Sequence, residues 1–155
     1  KLRNFFQGRY ETTIKAILAS TGLVQAESPD VEKLLANAQP FISVNLMGEA
    51  VLTVGGSLTD IVRHSCGVIA IGPFGCMPNR ISEAILSEAM TARGKMAADS
   101  DAPNLRTILT DIDNLPFLAI ESDGSPFPQV ITAKLETFML RAGRLHARMM
   151  AAGPH

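Results

Sequence analysis

The sequence predicts an α/β fold of the doubly wound kind, in which a small parallel sheet follows a helical N-terminal half. Two short apolar runs, Gly67-Val68-Ile69-Ala70-Ile71 and Pro116-Phe117-Leu118-Ala119-Ile120, are bounded by turn formers and read as strands buried on both faces. Each run is followed by helical periodicity, and the order strand, helix, strand, helix calls for parallel pairing through a right-handed crossover. Upstream of residue 48 the apolar spacing is helical throughout. At 155 residues the chain has the size of one domain, residues 1–155, divided into a helical lead-in over 1–47 and a β-α-β-α unit over 48–150.

Each element has its own signal. Phe6, Tyr10, Ile14, Ile17 and Leu18 recur at helical spacing, and Thr21-Gly22 supplies a stop where glycine accepts a left-handed backbone. A second helix is predicted from the cap Ser28 and Pro29 at its first position, with Val31, Leu34, Leu35 and Ala38 on one face and Pro40 as its end. From Gly48 to Arg63, the residues Val51, Val54, Leu58, Ile61 and Val62 favour a third helix. Gly55-Gly56 inside it costs about 1 kcal/mol per glycine relative to alanine, which points to close packing or a ligand.

After the first strand, Asn79 is the expected cap of a helix carrying Ile81, Ala84, Ile85 and Ala89, and the pattern fades through Ala97-Ala98-Asp99-Ser100-Asp101 into an expected mobile surface loop. The second strand runs into the turn formers Glu121-Ser122-Asp123-Gly124-Ser125-Pro126. In the last helix Ile131, Leu135, Phe138, Ala142, Leu145 and Met149 share a face. Arg141, Arg144, His146 and Arg148 gather towards its C-terminal end, where the helix dipole favours cations.

Composition narrows the function. With 46% hydrophobic and 19% charged residues the chain is globular rather than disordered. A net charge of -1 offers no excess of cations for nucleic acid or an anionic membrane surface, so small molecules and protein partners are the expected ligands. No apolar run approaches the roughly 20 residues that span a bilayer, and Lys1-Leu2-Arg3-Asn4 lacks the apolar core of a secretory signal, so the expected location is cytoplasmic. The absence of an initiating methionine reads as a fragment of a larger protein or a processed product.

The stretch Gly72-Pro73-Phe74-Gly75-Cys76-Met77-Pro78 places a cysteine where a strand hands over to a helix. Unpaired backbone N–H groups at a helix start favour an anion, so a thiolate at such a position serves as nucleophile or metal ligand. Burial as an inert thiol is the competing account, since free cysteines are among the most buried residues. In doubly wound folds ligands bind beyond the carboxyl ends of the strands, which places Cys76, Glu121 and Asp123 on one cleft. Glu49, at the expected start of the third helix, is explained by the dipole alone and is also a cleft candidate.

Other chemistry is weaker. Neither a GxxxxGK[ST] loop nor GxGxxG spacing is present, which argues against ATP binding. Cys66 and Cys76 match neither zinc nor disulfide spacing, and a strand length of roughly 17 Å separates them, so they do not share a metal. Nothing in the spacing brings His64 or His146 to Cys76 as a catalytic partner, and no catalytic residue is assigned.

The segment from Pro73 to Pro78 after Gly67-Val68-Ile69, with Gly48-Glu49-Ala50 upstream and Ile131-Thr132 and Leu135-Glu136-Thr137-Phe138 downstream, resembles the C-terminal domain of large proteins related to 2-hydroxyacyl-CoA (2-hydroxyglutaryl-CoA) dehydratase and its activase, the CoA-substrate-specific enzyme activase family. The resemblance covers roughly residues 30 to 148. It implies a flavodoxin/Rossmann-like three-layer domain in an oxygen-sensitive, anaerobic system, where ATP-driven electron transfer supports radical dehydration or reduction of acyl-CoA substrates. It also implies that Cys76, alone among the residues carried over, ligates an iron–sulfur cluster of the 4Fe-4S type; Glu49, Pro73, Phe74, Gly75, Met77, Pro78, Glu121 and Asp123 are the candidates for lining a substrate site or cleft beside it. The implied partners are the remaining domains of the parent protein and an activase or dehydratase subunit, with the cluster itself absent from this chain alone. Two alternatives stand beside it: a non-catalytic scaffold that docks the activase, and a thiol-dependent enzyme acting on a small molecule.

Overall fold

The computed structural model describes residues 2–22, 30–46, 48–102, 104–124 and 129–153. These form two compact units, 1–31 and 32–155. The first unit carries helix α1 (Leu2–Ala19), which ends in a turn closed by Gly22 at φ 72, the left-handed stop the sequence implies. Tyr10, Ile14, Ile17 and Leu18 of α1 are exposed. The expected cap at Ser28 and Pro29 lies outside the described residues.

The second unit is mixed α/β. It contains α2 (Val31–Ala38), α3 (Ala50–Asp60), β1 (Val68–Pro73), α4 (Met77–Ala89), α5 (Ala92–Ala98), α6 (Leu105–Ile108), β2 (Phe117–Ser122) and α7 (Gln129–Ala151). Strands β1 and β2 pair in parallel from Val68 opposite Phe117 to Pro73 opposite Ser122. Because side chains alternate along a strand, Val68 and Phe117 face one side, while Leu118 and Ile120 face the other. The first side joins the main core around Val54, Leu58, Leu86, Ile108, Leu115 and Leu145. The second meets Phe138 and Ala142 of α7.

The expectation that both strands are buried on both faces holds for β2 and fails for β1. Ile69 is 40% and Ile71 63% exposed. Their face-mates Leu118 and Ile120 lie under α7, but that helix packs against β2 and leaves the β1 half of the face open.

Glycine explains the approach of α2 to α3. A Cβ on Gly55 would collide with the Leu34 carbonyl, whereas one on Gly56 would meet nothing. The pair therefore splits: Gly55 permits helix contact, and Gly56 only weakens the helix. α3 stops at Asp60, short of the expected Arg63, and Ile61 and Val62 remain buried in the turn beyond it. Val62 takes φ 72, a left-handed backbone costing a β-branched residue about 1–2 kcal/mol, and its N–H donates to the Ser65 carbonyl at 2.9 Å.

The expected mobile loop at residues 97–101 is a structural anchor instead. Thr91 caps α5, its Oγ1 accepting from the Gly94 N–H at 3.0 Å. Lys95 on α5 is 0% exposed and donates to the Leu58 and Thr59 carbonyls at 2.7 and 3.0 Å and to Asp99 Oδ2 at 2.9 Å. Arg63 grips the same carboxylate with Nε at 2.5 Å and Nη2 at 2.9 Å. Burial pushes the Asp99 carboxyl up, but hydrogen bonds from Arg63 and Lys95 outweigh it and hold the group at about 2. Burial lowers the Lys95 ammonium below its ordinary value, with Asp99 partly restoring it.

Two predictions follow from this packing. Gly56→Ala raises stability by about 0.5–1 kcal/mol, whereas Gly55→Ala lowers it by about 1–3 kcal/mol, read as opposite shifts of the urea midpoint. Asp99→Ala leaves a buried ammonium without its counter-charge and costs about 3–5 kcal/mol at neutral pH. Since the folded Asp99 value lies below the unfolded one, its contribution is complete above about pH 4 and lost as pH falls through about 2. Denaturation curves at successive pH values measure both; an acid limb unchanged by the substitution refutes the assignment.

Candidate functional site

The loop from Gly72 to Pro78 leaves β1 at its carboxyl end and turns directly into α4. Pro73 fixes the entry, and the Cys76 N–H donates to the Pro73 carbonyl at 3.3 Å, closing a tight turn whose third residue, Gly75, has φ 75. That conformation suits glycine and throws Phe74 and Met77 outward, 64% and 71% exposed. The cap of α4 is Cys76, not Asn79, with Pro78 in the first turn. The Cys76 carbonyl accepts from the Arg80 N–H at 3.0 Å, while its side chain makes no capping hydrogen bond. Asn79 instead lies flat against Gly72, in space that any side chain at that position would fill.

Parallel register brings the second loop alongside. Gly72 stands opposite Glu121 and Pro73 opposite Ser122, so Asp123 follows at the same edge. Arg80 ties α4 to the end of β2, its Nη1 lying 3.1 Å from both Glu121 and Glu83. The arginine is about half exposed, so these pairs add at most about 1 kcal/mol. Glu49 caps α3 without a side-chain capping bond, and its neighbour Gly48 lies against Pro78. The structure thus gathers Glu49, residues 73–78, Glu121 and Asp123 along one edge.

That edge is an open surface. Three cavities of about 750, 700 and 640 Å³ lie elsewhere, and none is lined by Cys76, Glu49, Glu121 or Asp123. The histidines are also remote. His64 sits in the turn before β1, and His146 lies between Arg141 and Arg148, which bind the segment leading into β2. Both therefore stand towards the amino ends of the strands, away from Cys76. Cys66 precedes β1 and Cys76 follows it, so the six residues of the strand hold the two thiols about 20 Å apart.

Comparison with protein-family models, curated proteins and solved structures finds no match to this chain. Among the described residues no three His, Cys, Asp or Glu side chains converge as a metal site. Cys76 brings a single sulfur to the start of α4. The sequence did not reveal the Arg80 tie; the only trace is its place four residues after Cys76, one turn into the helix.

The two cysteines differ in packing. Cys66 lies against the core clusters on both sides of the sheet, whereas Cys76 belongs to neither. Both thiols are half-buried, so iodoacetamide applied to the folded protein labels both, Cys76 faster than Cys66, as read by peptide mass spectrometry. Equal labelling would contradict the placement.

Proposed function

We propose that this domain supplies Cys76 as one thiolate ligand of an iron–sulfur cluster in a 2-hydroxyacyl-CoA dehydratase/activase-type system, on a flavodoxin-like three-layer scaffold. The observation that carries the reading is the position of Cys76: the cap of α4, at the carboxyl edge of a parallel strand pair, between the exposed Phe74 and Met77, with no capping hydrogen bond from its side chain. A cubane cluster needs about four ligands, and one cysteine contributes one. The remaining ligands come from another domain or subunit laid over this edge. When bound, the cluster supplies one-electron chemistry; the chain positions its thiolate and shapes the surface that shields it.

A second reading has its own support. Phe74 and Met77 project from either side of Cys76, and exposed apolar residues flanking a loop suit protein docking. In that reading the edge is a scaffold for an activase and the thiol is incidental.

The deciding experiment measures iron, acid-labile sulfide and visible absorption on the assembled system prepared without oxygen, comparing wild type with Cys76→Ala. Loss of the cluster in the variant is the expected result. An unchanged cluster in both, or none in either, sinks the ligand assignment. Complex formation by Phe74→Ala and Met77→Ala proteins then tests docking, which weakens while Cys76→Ala leaves it intact.

A further inference from the structure

The largest of the three cavities, about 750 Å³, opens at the amino ends of the strands, opposite the Cys76 edge. Arg141, Arg144 and Arg148 of α7 line it, spaced by three and four residues so that they follow one side of the helix. The dipole accounts for only part of this concentration of charge. Its influence falls off within the last turn, and Arg141 and Arg144 stand ten and seven residues before the helix ends at Ala151.

The flanking arginines are held in place. Arg141 Nη2 donates to the Asn114 and Leu115 carbonyls at 3.3 and 3.1 Å, and Arg148 Nη1 donates to the Thr110 carbonyl. These bonds leave the other nitrogens of both side chains available. Arg144, between them, has no hydrogen-bond or ion-pair partner among the described residues. A guanidinium carries five donors in a planar fork suited to phosphate oxygens, so the cavity wall presents far more donors than the protein consumes. Ser87 and Asn114 add polar side chains to the lining. Asp111 and Asp113 also line the cavity, and among the described residues neither forms an ion pair with the three arginines. Three cations against two unpaired anions leave a positive surplus, and carbonyl anchoring keeps two of the cations from collapsing onto the carboxylates.

We propose that this cavity binds a phosphate-bearing ligand, with Arg144 as its principal contact and Arg141 and Arg148 as preset flanking donors. The site is independent of the proposed role of Cys76. Its volume exceeds the needs of a single phosphate and lies within the range of small-molecule pockets. A diphosphate group spans neighbouring guanidinium forks better than a monophosphate does.

Isothermal titration at low ionic strength, with inorganic phosphate, pyrophosphate and ADP as separate probes, tests the assignment. Saturable one-site binding of pyrophosphate with Kd of about 1 mM or tighter is expected, weakening as salt is added. Arg144→Ala, whose side chain supports no structural bond, reduces that affinity about tenfold or more, whereas Arg106→Ala, an exposed arginine outside the cavity, does not. Tighter binding of ADP identifies a larger phosphate ester as the ligand class; equal binding identifies the phosphate group alone. Cys76→Ala leaves all of these values unchanged, which separates this site from the cluster. Absence of saturable binding by every probe, or binding that Arg144→Ala does not weaken, overturns the proposal.

Discussion

The unit from residue 32 onwards depends on one buried carboxylate. Asp99 receives Lys95 from its own helix end and Arg63 from the turn beyond α3, and Lys95 at the same time satisfies the last carbonyls of α3. A helix C-terminus buried against another helix has carbonyls that water cannot reach, and leaving them bare would cost about 1–3 kcal/mol each. An ammonium is the donor that reaches them here, and an ammonium at that depth requires a counter-charge. The three elements are therefore locked by a chain of necessity: the end of α3 needs Lys95, Lys95 needs Asp99, and Asp99 draws in Arg63. Arg63 adjoins Val62, whose left-handed backbone turns the chain towards β1. The direction of the first strand, and the loop at its far end, inherit that arrangement.

Much of this architecture was legible in the chain, and the exceptions share a cause. α3, α4 and α7 announce themselves by apolar periodicity because each buries a stripe against neighbours. Both strands were visible as short apolar runs, although each extends two residues further, to Pro73 and Ser122, than the apolar residues alone imply. α5 and α6 were missed. α5 has seven residues, and its decisive buried side chain is a lysine, so hydropathy reads the segment as surface. Its folding depends on a carboxylate four residues after that lysine and on an arginine 36 positions before the carboxylate, a tertiary fact that no local window contains. α6, with four residues, is too short for any period to register.

The candidate edge was equally half legible. A glycine and proline turn between a strand and a helix predicts where Cys76 stands, and the parallel order predicts that Glu121 and Asp123 share its edge. Spacing could not show that the edge is open rather than cleft-like, since cavity shape depends on how far flanking elements reach. Nor could it show the cavity under α7. The arginines there had a sufficient local explanation in the helix dipole, and only the placement of the segment 110–116 beneath them reveals that two are clamps and the third is unengaged.

The length of the paired strands has a consequence for how the molecule tolerates change. Six residues of parallel ladder separate the cysteine loop from the arginine-lined cavity by about 20 Å, beyond the roughly 7–10 Å within which substitutions interact energetically. The effects of altering the two ends should therefore sum rather than multiply. Each end is free to be reshaped by substitution without compensation at the other.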